Sequence, residues 1–133
     1  MSYALITGAS KGIGKAIAFD LAAKGYNLAL VARSKDLLHA VSEEIKAKHN
    51  VQVAYLALDL SAPNAASEVF QWASENKFDT SVLVNNAGYG LSGAFESYPL
   101  EQHVNMLQVN CTALVQLTYL FLPQLKKQQQ AYI

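Results

Sequence analysis

Four short apolar runs, separated by stretches of helical periodicity and recurring about every 25 residues, constrain this chain more than any other feature. Residues 3–7 (Tyr3, Ala4, Leu5, Ile6, Thr7) predict a buried strand that ends at a glycine. Residues 12–24 carry Ile13, Ile17 and Leu21 on one side and stop at Gly25, the mark of a helix with a glycine end. Residues 27–32 predict a second strand. Ser34 is a good N-cap for a helix running to Lys48, with Leu37, Leu38, Val41 and Ile45 at helical spacing. Residues 51–58 predict a third strand. Ser61, Pro63 and Asn64 punctuate a turn before a helix over 65–75 with Val69, Phe70 and Ala73 inward. Residues 81–84 predict a fourth strand, followed by a Gly- and Asn-rich loop over 85–97. A long helix then runs from about Pro99 towards Gln128, and residues 131–133 begin a fifth strand.

Alternation of this kind builds βαβ units on a parallel sheet. The strands are apolar throughout rather than alternating, as expected where helices cover both faces. The fold class is therefore α/β, a doubly wound parallel sheet with right-handed crossovers, in one domain over residues 1–133. The sequence shows no linker and no internal repeat beyond the βα period.

Composition removes several classes of function. Hydrophobic residues make up 52% of the chain and charged residues 15%, too apolar for intrinsic disorder. Ten basic residues balance ten acidic ones, which leaves no overall attraction for nucleic acid or an anionic membrane. The single Cys111 excludes a disulfide framework and a cysteine zinc site, and fits a reducing, cytoplasmic setting. His39, His49 and His103 do not stand at metal-ligand spacing, so no metal site is expected. The amino terminus has no basic segment of a signal peptide. The longest apolar stretch, around 118–122, is interrupted by Gln116 and Pro123 and falls short of the ~20 apolar residues of a membrane-spanning helix.

The densest signal lies between the first strand and the first helix, in Thr7, Gly8, Ala9, Ser10, Lys11, Gly12, Ile13 and Gly14. Glycine at 8 permits a tight turn off the strand. Glycine at 12 lets backbone approach a phosphate, and glycine at 14 lets the helix pack closely on the strand. The N–H groups and positive dipole end at the helix start attract a diphosphate. A nucleotide-hydrolysing loop needs Gly, four residues, then Gly, Lys and a hydroxyl residue. Aligned on Gly14 and Lys15, the first glycine becomes Ala9 and the hydroxyl position becomes Ala16, so that loop is excluded. The dinucleotide spacing Gly-x-Gly-x-x-Gly does not fit either, because the spacing is Gly-x-x-x-Gly-x-Gly.

That spacing resembles the cofactor loop of the classical short-chain dehydrogenase/reductase family, and three further segments agree. Asp59 and Leu60 follow the third strand, where the family places an Asp beside adenine. Asn85, Asn86, Ala87 and Gly88 follow the fourth strand and match the family's Asn-Asn-Ala-Gly motif. Asn110, in the long helix, matches its catalytic Asn. The resemblance covers the whole chain. It implies a Rossmann-type sheet in strand order 3-2-1-4, cut at the start of the fifth strand. It also implies an oxidoreductase that moves hydride between a nicotinamide and a small-molecule carbonyl or alcohol. By the resemblance, Gly8, Ser10, Lys11, Gly12, Ile13 and Gly14 hold the diphosphate. Asn85 steadies the central strands, and Asn86, Ala87 and Gly88 line the ribose.

The end of the second strand selects the cofactor. An acid there would bind the 2′-hydroxyl of NAD, whereas Arg accommodates the 2′-phosphate of NADP. The segment holds Arg33 and Ser34 and no acid, and Lys11 adds a second positive charge, so the expected cofactor is NADP. The family's acid is a Tyr in a Tyr-x-x-x-Lys pair. Four residues after Tyr3, Tyr26, Tyr55, Tyr89, Tyr98 and Tyr119 stand Thr7, Leu30, Asp59, Gly93, Gln102 and Pro123, and Tyr132 has no such residue. The pair and the family's catalytic Ser are absent, which leaves Asn110 as the sole catalytic candidate. The expectation is the amino-terminal part of a longer enzyme, inactive by itself. The competing expectation is a non-catalytic dinucleotide-binding or dimerising protein. Apolar residues go nearly all round the long helix from Met106 to Leu125, which predicts a homo-oligomer contact there. Pro123 is expected to kink or weaken that helix. Tyr89, Leu91 and Phe95 border the expected cleft, as substrate-pocket or core residues.

Overall fold

A computed structural model describes residues 1–133. Four parallel strands, β1 (Tyr3–Thr7), β2 (Asn27–Ala32), β3 (Val53–Ala57) and β4 (Thr80–Val84), form one sheet in the order β3-β2-β1-β4. Five helices accompany them: α1 (Gly12–Ala23), α2 (Lys35–Lys48), α3 (Ala65–Glu75), α4 (Leu100–Leu107) and α5 (Ala113–Leu125). The fold is the parallel α/β sheet that the alternation predicts, in the Rossmann-type strand order that the resemblance implies.

Side chains of a strand point alternately to the two faces, and the core divides accordingly. Leu5, Ala29, Val31 and Leu83 point towards α3 and α5, where they meet Val69, Ala113, Leu117 and Phe121. Ala4, Ile6, Leu28, Leu30 and Val82 point to the other face, against Ala18 and Ala22 of α1 and Leu38, Val41 and Ile45 of α2. Two apolar faces explain why the strands lack alternation in sequence. Ser34 caps α2 as expected, its Oγ accepting from the Leu37 N–H at 3.3 Å.

Several boundaries differ from the expectation. The third strand covers Val53–Ala57 only, because pairing with β2 runs from Leu28 opposite Val53 to Ala32 opposite Ala57. The long helix ends at Leu125 rather than Gln128. It is also interrupted by a π turn over Gln108–Thr112, with the Ala113 N–H reaching back to the Gln108 carbonyl. Pro123 lies inside α5, two residues before its end, so the helix tolerates it without stopping there. The fifth strand is a single parallel bridge. Tyr132 donates to the Ser81 carbonyl and accepts from the Leu83 N–H, both at 3.0 Å.

The helical span Leu100–Leu125 is long and apolar enough to cross a membrane by length and composition, contrary to the sequence expectation. Helix continues through the polar positions that break the apolar run in sequence. Ala113, Leu117, Phe121 and Leu125 of this span are buried against the sheet and α3, and a span in lipid would have to abandon that packing.

Candidate functional site

A cleft of about 850 Å³ opens over the carboxyl ends of the four strands. That is the end of an open parallel sheet where ligands bind, and the volume falls within the ordinary range for ligand sites. Each strand delivers a short segment to it. β1 delivers Gly8, Ser10, Lys11, Gly12 and Ile13; β2 delivers Arg33 and Ser34; β3 delivers Asp59 and Leu60; β4 delivers Asn86, Ala87 and Gly88. Of the thirteen expected binding residues, Gly14 alone stays off the cleft wall.

Gly14 explains itself through packing. A Cβ built there would stand 2.2 Å from the Gly8 carbonyl oxygen, so α1 can approach the glycine loop only without a side chain. Gly12 serves the opposite need. It adopts φ +56°, a left-handed conformation suited to glycine, and the space where a Cβ would project is open. Lys11 holds the N-cap position of α1 without a side-chain cap bond, and no acid occupies the first helical turn. The N–H groups of that turn are therefore left to a ligand on the cleft side.

Of the two asparagines after β4, Asn86 takes on the strand-steadying role expected of Asn85 and keeps its own place on the cleft. Asn86, expected at the ribose, sends its Nδ2 back to the carbonyls of Thr7 (3.1 Å) and Gly8 (3.2 Å). Thr7 Oγ1 in turn accepts from the Asn86 and Ala87 N–H groups. Asn86 thus joins the ends of β1 and β4 while still lining the cleft. Asn85, expected to steady the strands, instead donates to Thr118 Oγ1 of α5 at 3.1 Å, and its Oδ1 is buried without a partner.

Asn110 sits in the π turn and does not line the cleft. Its Oδ1 accepts from the Tyr89 N–H at 3.0 Å and its Nδ2 donates to the Tyr89 carbonyl at 2.7 Å. Both amide atoms are engaged with one residue's backbone, which fixes the loop after Gly88 on the helix. Tyr89 consequently faces the cleft, while Phe95 is 73% exposed away from it and stacks on His103.

Asp59 Oδ1 accepts from the Ser61 N–H at 2.9 Å. The Ser61 backbone and hydroxyl hold the Asp59 carboxyl below its ordinary value, and the nearby positive Arg33 adds to the effect. Asp59 is thus ionised and faces the basic side of the cleft. Leu37, Ser61, Asn105 and Val109 also line the cleft and were missed in sequence. Ser61 could have been found by its nearness to Asp59. The other three project from helices, and no local motif marks them.

The cleft, its glycine loop and the parallel sheet define a class of dinucleotide-fold protein. The sequence profile of the short chain dehydrogenase family matches residues 2–133, and the chain belongs to that family. A very-long-chain 3-oxoacyl-CoA reductase from Ajellomyces capsulatus is 37% identical, over 99% of this chain and 40% of its own length. Its counterpart from Aspergillus fumigatus is 33% identical, over 99% and 39%. Among solved structures, an alcohol dehydrogenase from Thermococcus sibiricus complexed with 5-hydroxy-NADP superposes with a TM-score of 0.90 at 38% identity, over 99% of this chain and 56% of that one. L-sorbose reductase from Gluconobacter frateurii, complexed with NADPH and L-sorbose, gives 0.87 at 32% identity, over 95% and 48%. The chain spans about two fifths of these curated relatives and about half of these solved structures.

Proposed function

We propose that residues 1–133 are the NADP(H)-binding part of an oxidoreductase acting on a carbonyl or alcohol substrate. The observation that carries the reading is the meeting of Lys11, Arg33 and Ser34 on one cleft, with no acid at the end of β2. Two cations and a hydroxyl suit a 2′-phosphate, and Arg can grip it through two parallel bonds. The complexes of similar solved proteins with NADPH and 5-hydroxy-NADP support the same choice.

In this reading the glycine loop and the start of α1 hold the diphosphate. Gly8, Ser10, Lys11, Gly12 and Ile13 line that part of the cleft, and Gly14 lets the helix come close. Arg33 and Ser34 take the 2′-phosphate, Asp59 and Leu60 border the adenine, and Asn86, Ala87 and Gly88 border the nicotinamide-side ribose. Bound NADPH would supply the hydride. Asn110 fixes the Tyr89 loop beside the reacting end. The 133 residues hold no Tyr-x-x-x-Lys, so the chain by itself is expected to bind the cofactor without turning over substrate. The outer apolar face of α4 and α5 is proposed to meet a second copy.

Titration of the purified chain with NADPH and NADH, read by nicotinamide fluorescence, tests this. Charge-assisted hydrogen bonds contribute about 1.5–3 kcal/mol each, so NADPH should bind about tenfold tighter or better. Arg33→Asp should abolish or reverse the preference. Binding of neither nucleotide would overturn the reading.

A further inference from the structure

Asn105 lies in the interior of α4 and lines the cleft. Asparagine is a poor residue for a helix interior, because its short amide competes with the backbone. Capping does not account for it, since Pro99 holds the cap position. The amides of Asn86 and Asn110 are engaged with protein partners, and Asn85 donates through its Nδ2 to Thr118. The Asn105 amide has none, although it stands in a wall otherwise built by purposeful contacts. A donor and an acceptor side by side are therefore presented to whatever fills the cleft.

The position along the cleft bears on which part of a ligand Asn105 meets. Val109 lies about one turn further on the same side of the helix. It lines the cleft and packs against the core cluster that contains Leu60. Val109 and Leu60 also line one small pocket together, and Asn105, one turn before Val109, lines the same cleft as Asp59, Leu60 and Ser61. Asp59 is an ionised carboxylate there and can only accept hydrogen bonds. A ring that presents an amino group next to an acceptor nitrogen complements an amide on one edge. Adenine does so through its 6-amino group and N7, and Asn pairs with that edge through two bonds.

We propose that Asn105 reads the adenine base of the dinucleotide. Its Oδ1 accepts one hydrogen of the 6-amino group, and its Nδ2 donates to N7. The second amino hydrogen is left for Asp59. The inference rests on the NADP(H) reading above and assigns base selection within it. Hypoxanthine carries an oxygen at the same position, so it offers an acceptor where Oδ1 and Asp59 both need a donor.

The test compares NADPH with its reduced hypoxanthine counterpart, which differs only in that base, by fluorescence titration of the whole chain. The wild-type chain should prefer NADPH. Asn105→Ala should weaken NADPH binding about tenfold and leave the hypoxanthine counterpart within about twofold, which narrows the preference several-fold to the part that Asp59 supplies. Alanine is the best helix former, so α4 should persist, and far-UV circular dichroism checks it. Asn105→Leu, similar in size and without the amide, should give the same loss and keeps the test open if the alanine variant folds poorly. A preference undiminished in both variants overturns this proposal alone. A wild-type chain that binds neither dinucleotide overturns the cofactor reading and this proposal together.

Discussion

Gly14 and Ser42 sit at opposite extremes of what a single position tolerates. Any Cβ at position 14 meets the Gly8 carbonyl oxygen at 2.2 Å and Asn86 Nδ2 at 2.5 Å. Gly8 has φ +67°, and the contact with its carbonyl is to backbone rather than to a flexible side chain. Relief therefore requires α1 to back away from the sheet. Overpacking of this kind costs ~1–3 kcal/mol or more, so Gly14→Ala should lower the melting temperature and loosen the glycine loop. Ser42 presents the reverse case. Its hydroxyl is buried on the inner side of α2 with no hydrogen-bond partner. A buried unsatisfied polar group costs about 1–3 kcal/mol. Alanine removes that group and suits a helix better, so Ser42→Ala should raise the melting temperature in the same scan. A lower melting temperature for Ser42→Ala would show that the hydroxyl has a partner in solution.

The outer side of α4 and α5 poses an element-scale question, because large apolar residues remain in solvent there. Val115 is 63% exposed and Tyr119 is 78% exposed, while Leu107, Leu114 and Leu122 share the same outward character. The inward side of α5 is already satisfied by Ala113, Leu117, Phe121 and Leu125 against α3 and β4. One helix thus serves two contacts, which is why its apolar residues spread nearly all round it in sequence. Under the proposed self-association, the chain should sediment as a dimer or larger at micromolar concentration. Val115→Glu with Tyr119→Glu should give a monomer with an unchanged circular dichroism spectrum. A wild-type chain that is monomeric at every concentration would remove the proposal. The elements themselves were largely legible in sequence, because apolar runs bounded by glycine mark buried parallel strands. The π turn at Gln108–Thr112 was not. It differs from α-helix by one residue of hydrogen-bond offset, and no composition marks that shift. Nor could the adjacent Asn85 and Asn86 be told apart, since both follow β4 and only tertiary packing decides that one meets Thr118 and the other the end of β1.

At the scale of the whole molecule, strand ends make the cleft legible in the sequence. Residues directly after a parallel strand must arrive at the same end of the sheet, so the glycine loop, Arg33, Asp59 and Asn86 converge by topology alone. Leu37, Asn105 and Val109 reach the cleft from helices, and their approach depends on packing angles that no local pattern encodes. Charge is distributed on the same plan. Ten basic and ten acidic residues cancel over the chain, yet Lys11 and Arg33 stand exposed on one cleft. A neutral molecule exerts little long-range attraction on an anionic ligand, so salt should act on dinucleotide binding mainly through this local pair. Screening lengths shrink from ~30 Å at 0.01 M to ~10 Å at 0.1 M salt, and exposed contacts weaken accordingly. NADPH and NADH share the diphosphate, so their affinity ratio isolates the 2′-phosphate. That ratio should fall severalfold as salt rises from about 0.01 M to about 0.3 M. Arg33→Ser should remove most of the fall and leave NADH affinity nearly unchanged, because the lost charge faces a phosphate that NADH lacks. A wild-type ratio that stays flat across the series would mean that Lys11 and Arg33 do not meet the 2′-phosphate, and that the preference has another source in the cleft.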